Sequence, residues 1–243
     1  MTPLHISGRC TIYNGDALAV LRQLPQSSVD AVITDPPYCS GGTSPASRQA
    51  DPADKYQSGG TKKTYPPMLG DSKDQRSWTL WCTYWLADCL RIAKDGTPLL
   101  VFSDWRQLPS MTDAVQAAGW IWRGVVVWDK PSARPTPGRF RHQCEYIVFA
   151  TKGRFAPAGT QCLPGVFRHH VNAAQKVHLT SKPVPLIEDL LAVTPQGAKI
   201  LDPFMGGGTT GVAALGTGRE FVGVELSEEY FEIARHRLPA DLN

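Results

Sequence analysis

Four consecutive residues, Asp35-Pro36-Pro37-Tyr38, join a carboxylate, two rigid carbonyl-bearing prolines and an aromatic ring. This set suits the activation of an amine. An exocyclic amine on a nucleobase is a weak nucleophile because its lone pair is delocalised into the ring. Two acceptors aimed at its two hydrogens draw the nitrogen towards sp³ and free that pair. Asp35 supplies a carboxylate oxygen and Pro36 a backbone carbonyl, and successive prolines restrict φ and so hold the carbonyl in one direction. Tyr38 can stack on the face of the base. A base inside a duplex cannot reach such a pocket, so the chemistry requires base flipping. The competing reading is an ordinary proline turn after a strand.

A second chemical segment is Asp202-Pro203-Phe204-Met205-Gly206-Gly207-Gly208-Thr209-Thr210. Its Gly206-x-Gly208-x-x-Gly211 spacing fits the generic dinucleotide fingerprint, and Glu225 follows at the tip of the next expected strand. Glycines let backbone approach a ligand closely, and an acidic side chain can accept from two ribose hydroxyls. There is no GKT or GKS sequence, which disfavours a phosphate-cradling P-loop. A tight strand-to-helix turn carrying an exposed glutamate is the competing reading.

These segments need elements to carry them. ALAVLRQL (17–24) has helical apolar spacing, and VDAVIT (29–34) is a β-branched run ending at the proline turn. Residues 39–75 lack periodicity and read as a long mobile loop, which usually means a functional or disordered one. A helix is expected over 75–93, where Trp78, Trp81 and Trp85 recur as a core-facing stripe. Then come strand 97–104, helix 106–118, strand 120–129, a basic Pro/Arg loop, strand 144–152 and a weakly patterned insertion, 153–177. Alternation resumes with helix 183–193, strand 198–203, a helix from Thr209, strand 220–225 and helix 227–237. Strands alternating with helices mean a mostly parallel sheet covered on both faces, and in such sheets ligands bind at the carboxyl ends of strands. Both chemical segments lie at such ends.

The chain has 243 residues, 42% of them hydrophobic, enough for a real core and for one domain with an insertion. No run approaches the roughly 18 apolar residues of a membrane helix, and the first residues lack the apolar core of a signal peptide, so a cytoplasmic location is expected. Six cysteines without a CxxC pattern favour reduced thiols over a zinc site or disulfide scaffold. Net charge is +3, but residues 129–176 hold eight basic and two acidic side chains. Such concentration suggests a polyanion contact, with a solvated basic face as the alternative.

Together these residues resemble the amino-type DNA methyltransferases that use S-adenosylmethionine. Asp35-Pro36-Pro37-Tyr38 matches their catalytic motif, and Asp202–Thr209 is similar to their D-P-F-x-G-S-G-T motif, with Gly207 where serine is common. His178-Leu179-Thr180-Ser181-Lys182-Pro183 resembles the H-P-T-x-K-P segment, with Leu179 replacing proline, and Asn14-Gly15-Asp16 matches a segment that precedes a helix. The catalytic motif lies N-terminal to the glycine turn, an order resembling the β group, whose target-recognition segment falls between the halves. The resemblance spans about residues 11–237.

The resemblance implies a Rossmann-like methyltransferase fold: a twisted, mostly parallel sheet with helices on both faces and an antiparallel hairpin over 120–151. It implies catalytic Asp35, Pro36, Pro37 and Tyr38, with double-stranded DNA as substrate, adenine N6 as target and no metal. For the cofactor, Asp16, with Ala17 beside it, and Glu225 are expected to hold the adenine and ribose ends. Phe204 packs alongside, the Gly206–Gly208 turn admits the ligand, and Thr180, Lys182 and Thr209 take the methionine end. Asp35 and Asp202 complete that site. Trp128-Asp129-Lys130 resembles a W-x-K segment that steers nucleic acid, and Lys130, Arg139, Arg141, Arg154 and Arg168 are the candidate DNA contacts. The resemblance leaves a homodimer and a partnership with a restriction enzyme open. Cytosine-N4 transfer uses the same amine chemistry but goes more often with S-P-P-Y. Cytosine-C5 transfer needs a nucleophilic cysteine, usually in a Pro-Cys turn, and no cysteine here follows a proline. From other classes, a dinucleotide-dependent oxidoreductase leaves Asp35–Tyr38 unexplained, and a non-catalytic DNA-binding regulator leaves two intact motifs without a task.

Overall fold

The computed structural model describes residues 3–38, 73–133, 135, 137–171 and 182–238. The long segment expected to be a mobile loop therefore falls almost wholly outside the described residues, as does Thr180. Among the described residues nine strands form one sheet: β1 (Leu4–Ser7), β2 (Cys10–Asn14), β3 (Ala31–Thr34), β4 (Pro98–Ser103), β5 (Ile121–Asp129), β6 (Cys144–Thr151), β7 (Val166–Arg168), β8 (Lys199–Asp202) and β9 (Glu220–Glu225). The helices are α1 (Ala17–Leu21), α2 (Gln75–Ile92), α3 (Leu108–Ala117), α4 (Val184–Leu191), α5 (Thr209–Gly216) and α6 (Glu228–Arg237). No helix among the described residues is long and apolar enough to cross a membrane.

The strand order is β1-β2-β9-β8-β3-β4-β6-β5-β7. Five neighbouring pairs are parallel, and β1–β2, β4–β6 and β5–β6 are antiparallel. Every residue of β3 and β4 is buried, as both-face coverage demands of central strands. One core layer sets Trp78, Trp85, Leu86 and Met111 of α2 and α3 against Val32, Leu99 and Val101. The other sets Leu186, Leu190, Ala213 and Phe231 of α4, α5 and α6 against Ile33, Leu100 and Ile200. The expected hairpin is present, with Val126 opposite Ile147.

Two strands depart from the sequence expectation. β1 is a short edge strand that turns straight back into β2. β7 lies inside the stretch read as a patternless insertion and pairs in parallel with β5 at Trp128 and Phe167. At four and three residues, both are too short to show alternation.

After β3 the chain moves to β4 on one side, and after β8 it moves to β9 on the other. The carboxyl ends of β3 and β8 therefore border the crevice where the winding reverses, the place where open α/β sheets bind ligands. Close packing of α5 sharpens that edge. A Cβ on Gly211 would lie 2.6 Å from Leu238 and 2.7 Å from the Phe221 ring, whereas one on Gly216 would meet nothing within 4 Å. Gly211→Ala is expected to lower stability by about 1–3 kcal/mol through overpacking. Gly216→Ala, at the end of the same helix, should be neutral or gain up to about 1 kcal/mol. Urea unfolding of the two variants checks the contrast.

Candidate active site

Asp35 and Asp202 follow one another across the crevice, and each carboxylate has a different duty. Asp202 is buried. Its Oδ1 accepts from the Thr34 hydroxyl at 2.7 Å and from the Phe204 N–H at 3.0 Å, so it staples the end of β3 to the turn after β8. Burial pushes its carboxyl up to about 6 against the pull of these donors. The resemblance assigns Asp202 to the cofactor; the structure turns it inwards, where it shapes the turn.

Asp35 is half-buried at the mouth of the crevice. The Tyr38 hydroxyl donates to its Oδ1 at 2.5 Å, and the Lys182 ammonium donates to Oδ2. Lys182 Nζ also lies 3.3 Å from Glu145 Oε2, while Lys130 Nζ holds Glu145 Oε1 at 2.7 Å. Two carboxylates and two ammoniums thus alternate in one chain that ends on Tyr38. Lys182 is 9% exposed. Burial alone pulls its ammonium down, but Asp35 and Glu145 outweigh burial and raise it, so the lysine stays charged. Glu145 is held below the usual carboxylate range: its burial is overcome by Lys182 and Lys130. Asp35 is raised, because burial and the neighbouring Glu145 charge together exceed what Lys182 returns. Asp35 is the more easily protonated of the two acids. Burial, followed by Asp35 and Glu145, drives the Tyr38 phenol well above its ordinary value, so it remains a donor.

The resemblance places Lys182 at the methionine end of a cofactor and Lys130 on DNA. In the structure both belong to this charge chain. Lys182 is committed to two carboxylates, and Lys130 is committed to Glu145 with its ammonium 5.5 Å from the Trp128 ring centre.

The backbone of the proline motif is tied down from helices α2 and α3. The Trp78 indole N–H donates to the Pro37 carbonyl at 2.7 Å, and the Gln107 amide donates to the Tyr38 carbonyl at 2.8 Å. Among the described residues the Pro36 carbonyl has no donor. The tryptophan stripe is therefore more than core. Trp78 and Trp85 are fully buried, whereas Trp81 is half-buried against Phe204, ring centres 5.3 Å apart, and Trp85 meets the same ring edge-on at 5.1 Å. Sequence periodicity gives the buried face of α2 but carries no trace of the Trp78 hydrogen bond.

The glycine turn reaches the next two strands. Gly206 has φ 52° and Gly208, which begins α5, has φ 79°, both in the left-handed region that favours glycine. Glu225 Oε2 accepts from the Gly206 N–H at 2.9 Å and Oε1 from the Ser227 N–H at 2.8 Å. Burial raises its carboxyl, and these two donors oppose the rise. Gly15 N–H and the Asn14 amide both donate to the Glu225 carbonyl, at 2.8 and 3.1 Å, which sets Asp16 beside Glu225. Asp16 is exposed and caps α1 through the Ala19 N–H at 3.0 Å. Ala17 is buried and presents only backbone. Thr209 is half-buried at the first turn of α5. Leu226, 48% exposed next to Glu225, is an apolar rim residue that sequence reading missed.

Of the remaining basic residues, Arg139 and Arg154 are exposed. Arg141 is exposed and donates to the Pro131 carbonyl at 3.3 Å. Arg168 is exposed and lies 3.3 Å from Asp129.

A mostly parallel sheet with an antiparallel β6 inserted beside β4, and two acid-proline turns facing each other at the reversal, is a Rossmann-like methyltransferase fold. The family model for DNA methylases, N6_N4_Mtase, matches residues 29–170 and 159–236, and the chain belongs to that family. It is similar to the type II methyltransferase M.Cfr9I of Citrobacter freundii, 29% identical over 276 residues that cover 98% of this chain and 90% of that protein. Among solved structures it is similar to the M1.HpyAVI–SAM complex, with TM-score 0.67, 22% identity and coverage of 94% and 98%. It is also similar to the cytosine-N4-specific PvuII DNA methyltransferase, with TM-score 0.71, 18% identity and coverage of 95% and 86%.

Removing Lys182 tests the charge chain. Lys182→Met leaves two carboxylates facing each other in a buried site, a loss expected at about 3–5 kcal/mol. Without the ammonium Asp35 rises further in the folded state, and Glu145, left with Lys130 alone, loses part of what holds it down. Their destabilisation is then full above the folded value and relieved as protons bind. The gap between variant and wild type should narrow from pH 7 to pH 5. Denaturant unfolding at the two pH values measures it.

Proposed function

We propose that the chain is an S-adenosylmethionine-dependent DNA methyltransferase that acts on the N6 amine of adenine. The observation that carries this reading is Asp35 beside a Pro36 carbonyl that no donor among the described residues reaches, at the winding reversal, with the two following carbonyls locked by Trp78 and Gln107. Aspartate rather than serine at position 35 favours adenine over cytosine N4.

The residues present fit the cofactor. Glu225 keeps lone pairs for ribose hydroxyls: Oε2 accepts from the Gly206 N–H and Oε1 from the Ser227 N–H, and a carboxylate oxygen can accept a second bond. Gly206 and Gly208 keep the turn free of side chains, and Leu226 and Phe204 supply apolar contact beside it. Asp16 stands next to Glu225 for the polar edge of an adenine. When bound, the cofactor supplies an electrophilic methyl group on a sulfonium.

The chain's own work is to orient and polarise the amine. Asp35 and the Pro36 carbonyl accept its two hydrogens, and this preorganised pair acts without reorganising as charge develops on nitrogen. Asp35 must be ionised to accept, so its raised value puts the loss of activity at a higher pH than an ordinary aspartate would. Lys182 can stay paired with Glu145 while Asp35 turns to the amine. Tyr38 stacks on the base once its hydroxyl leaves Asp35. Exposed Arg139, Arg141, Arg154 and Arg168 contact phosphates of double-stranded DNA, which makes binding strongly salt-dependent.

Two measurements test the reading. DNA from a methylation-deficient host expressing the chain should yield N6-methyladenine on nucleoside mass spectrometry, at a site that long-read sequencing maps. N4-methylcytosine instead would overturn the base assignment. Asp35→Ala should lose at least about 100-fold in turnover while retaining its fold, the scale of removing one preorganised polar partner of the transition state. Full activity in that variant would remove Asp35 from the mechanism.

A further inference from the structure

Phe140 is 96% exposed, more than any other large apolar side chain among the described residues. It stands between Arg139 and Arg141, both exposed, in the loop joining β5 to β6. A phenyl left almost wholly in water adds little burial to the fold; what sets this one apart is its place between two exposed arginines. The loop around it is anchored at its base. Lys130 N–H donates to the Gln143 carbonyl at 2.8 Å, the Gln143 amide donates to Asp129 at 2.7 Å, and Arg141 donates to the Pro131 carbonyl.

The loop also stands at the active-site edge of the sheet. In register, Thr34 lies opposite Val101 and Ser103 opposite Tyr146, so residues preceding 146 project beyond the same strand ends as Asp35. His142 stacks on Trp105, with ring centres 5.6 Å apart and 15° between planes. Trp105 belongs to the turn whose Gln107 holds the Tyr38 carbonyl. Glu145, which shares Lys182 with Asp35, is five residues from Phe140, a reach of at most about 18 Å along extended chain.

We propose that Phe140 is a wedge that enters the DNA base stack when the target base leaves it, with Arg139 and Arg141 gripping flanking phosphates. The inference rests on the reading of the chain as a DNA-amine methyltransferase. Removing a base from a duplex leaves a gap walled by the faces of neighbouring bases. A phenyl ring can fill that gap by stacking, and cations on either side match the phosphates that border it. Charge complementarity favours nucleic acid over an apolar protein partner for this tip, since the ring is framed by arginines on both sides.

The test compares Phe140→Ala with wild type on two duplexes carrying the mapped site. One holds the target base in its normal pair, and the other holds it opposite an abasic position, where no partner must be broken. On the paired duplex kcat/KM should fall by about 10- to 100-fold, the scale set by unpairing and unstacking one base. On the abasic-opposed duplex it should stay within about threefold of wild type, since extrusion there is already easy. Phe140→Trp should restore the paired substrate. Equal loss on both duplexes, no loss on either, or a change in oligomeric state with the ratio unaltered would overturn the wedge. Absence of turnover by wild type on both duplexes overturns the methyltransferase reading and the wedge with it.

Discussion

One ammonium buried between two carboxylates governs the active site. Lys182 faces both Asp35 and Glu145 and favours the ionised form of each. The sharing is unequal. Glu145 has Lys130 as well, so it is the settled anion, and Asp35 is the acid left nearest to protonation. This inequality suits a group that must exchange partners. A carboxylate bound by two strong cations would be slow to give up either, whereas Asp35 is held by one cation and one neutral hydroxyl.

The sheet topology makes that arrangement affordable in space. Asp35 directly follows β3, Glu145 lies at the start of the antiparallel β6, and Lys182 lies two residues before α4. Inserting β6 next to β4 brings its first residues to the same edge as the ends of β3 and β4. The same edge receives the glycine turn from β8 and Glu225 from β9. Asp202 joins the halves through Thr34, so the proline turn after β3 and the glycine turn after β8 share one buried hydrogen bond. Trp78 and Gln107 complete the wall from behind by holding the Pro37 and Tyr38 carbonyls.

Much of this was readable in the chain. Asp35–Tyr38 and Asp202–Thr209 stood out because each interrupts a β-branched or aliphatic run with residues of fixed backbone preference, and such local signals survive in one dimension. The alternation of strands and helices, and the hairpin over 120–151, followed from periodicity. What was not readable is long-range. Lys182 meets Asp35 across 147 positions, and although motif resemblance put both in one site, nothing near either residue signals that they pair. Lys130 looked like part of a basic surface because its partner, Glu145, lies on the neighbouring strand. Motif resemblance does not say which way a side chain turns, so the bonds from Asp202 to Thr34 and Phe204 had no sign in the chain. β1 and β7 escaped because a strand of three or four residues has no period to detect.

The most direct test is the titration of the Asp35 carboxyl carbon by NMR in wild type and in Glu145→Gln. The account places the wild-type carboxyl above the ordinary aspartate value of about 3.9. It places the variant lower, because removing Glu145 takes away a repelling charge and leaves Lys182 to Asp35 alone. An Asp35 that titrates in the ordinary range and is unmoved by Glu145→Gln would contradict it.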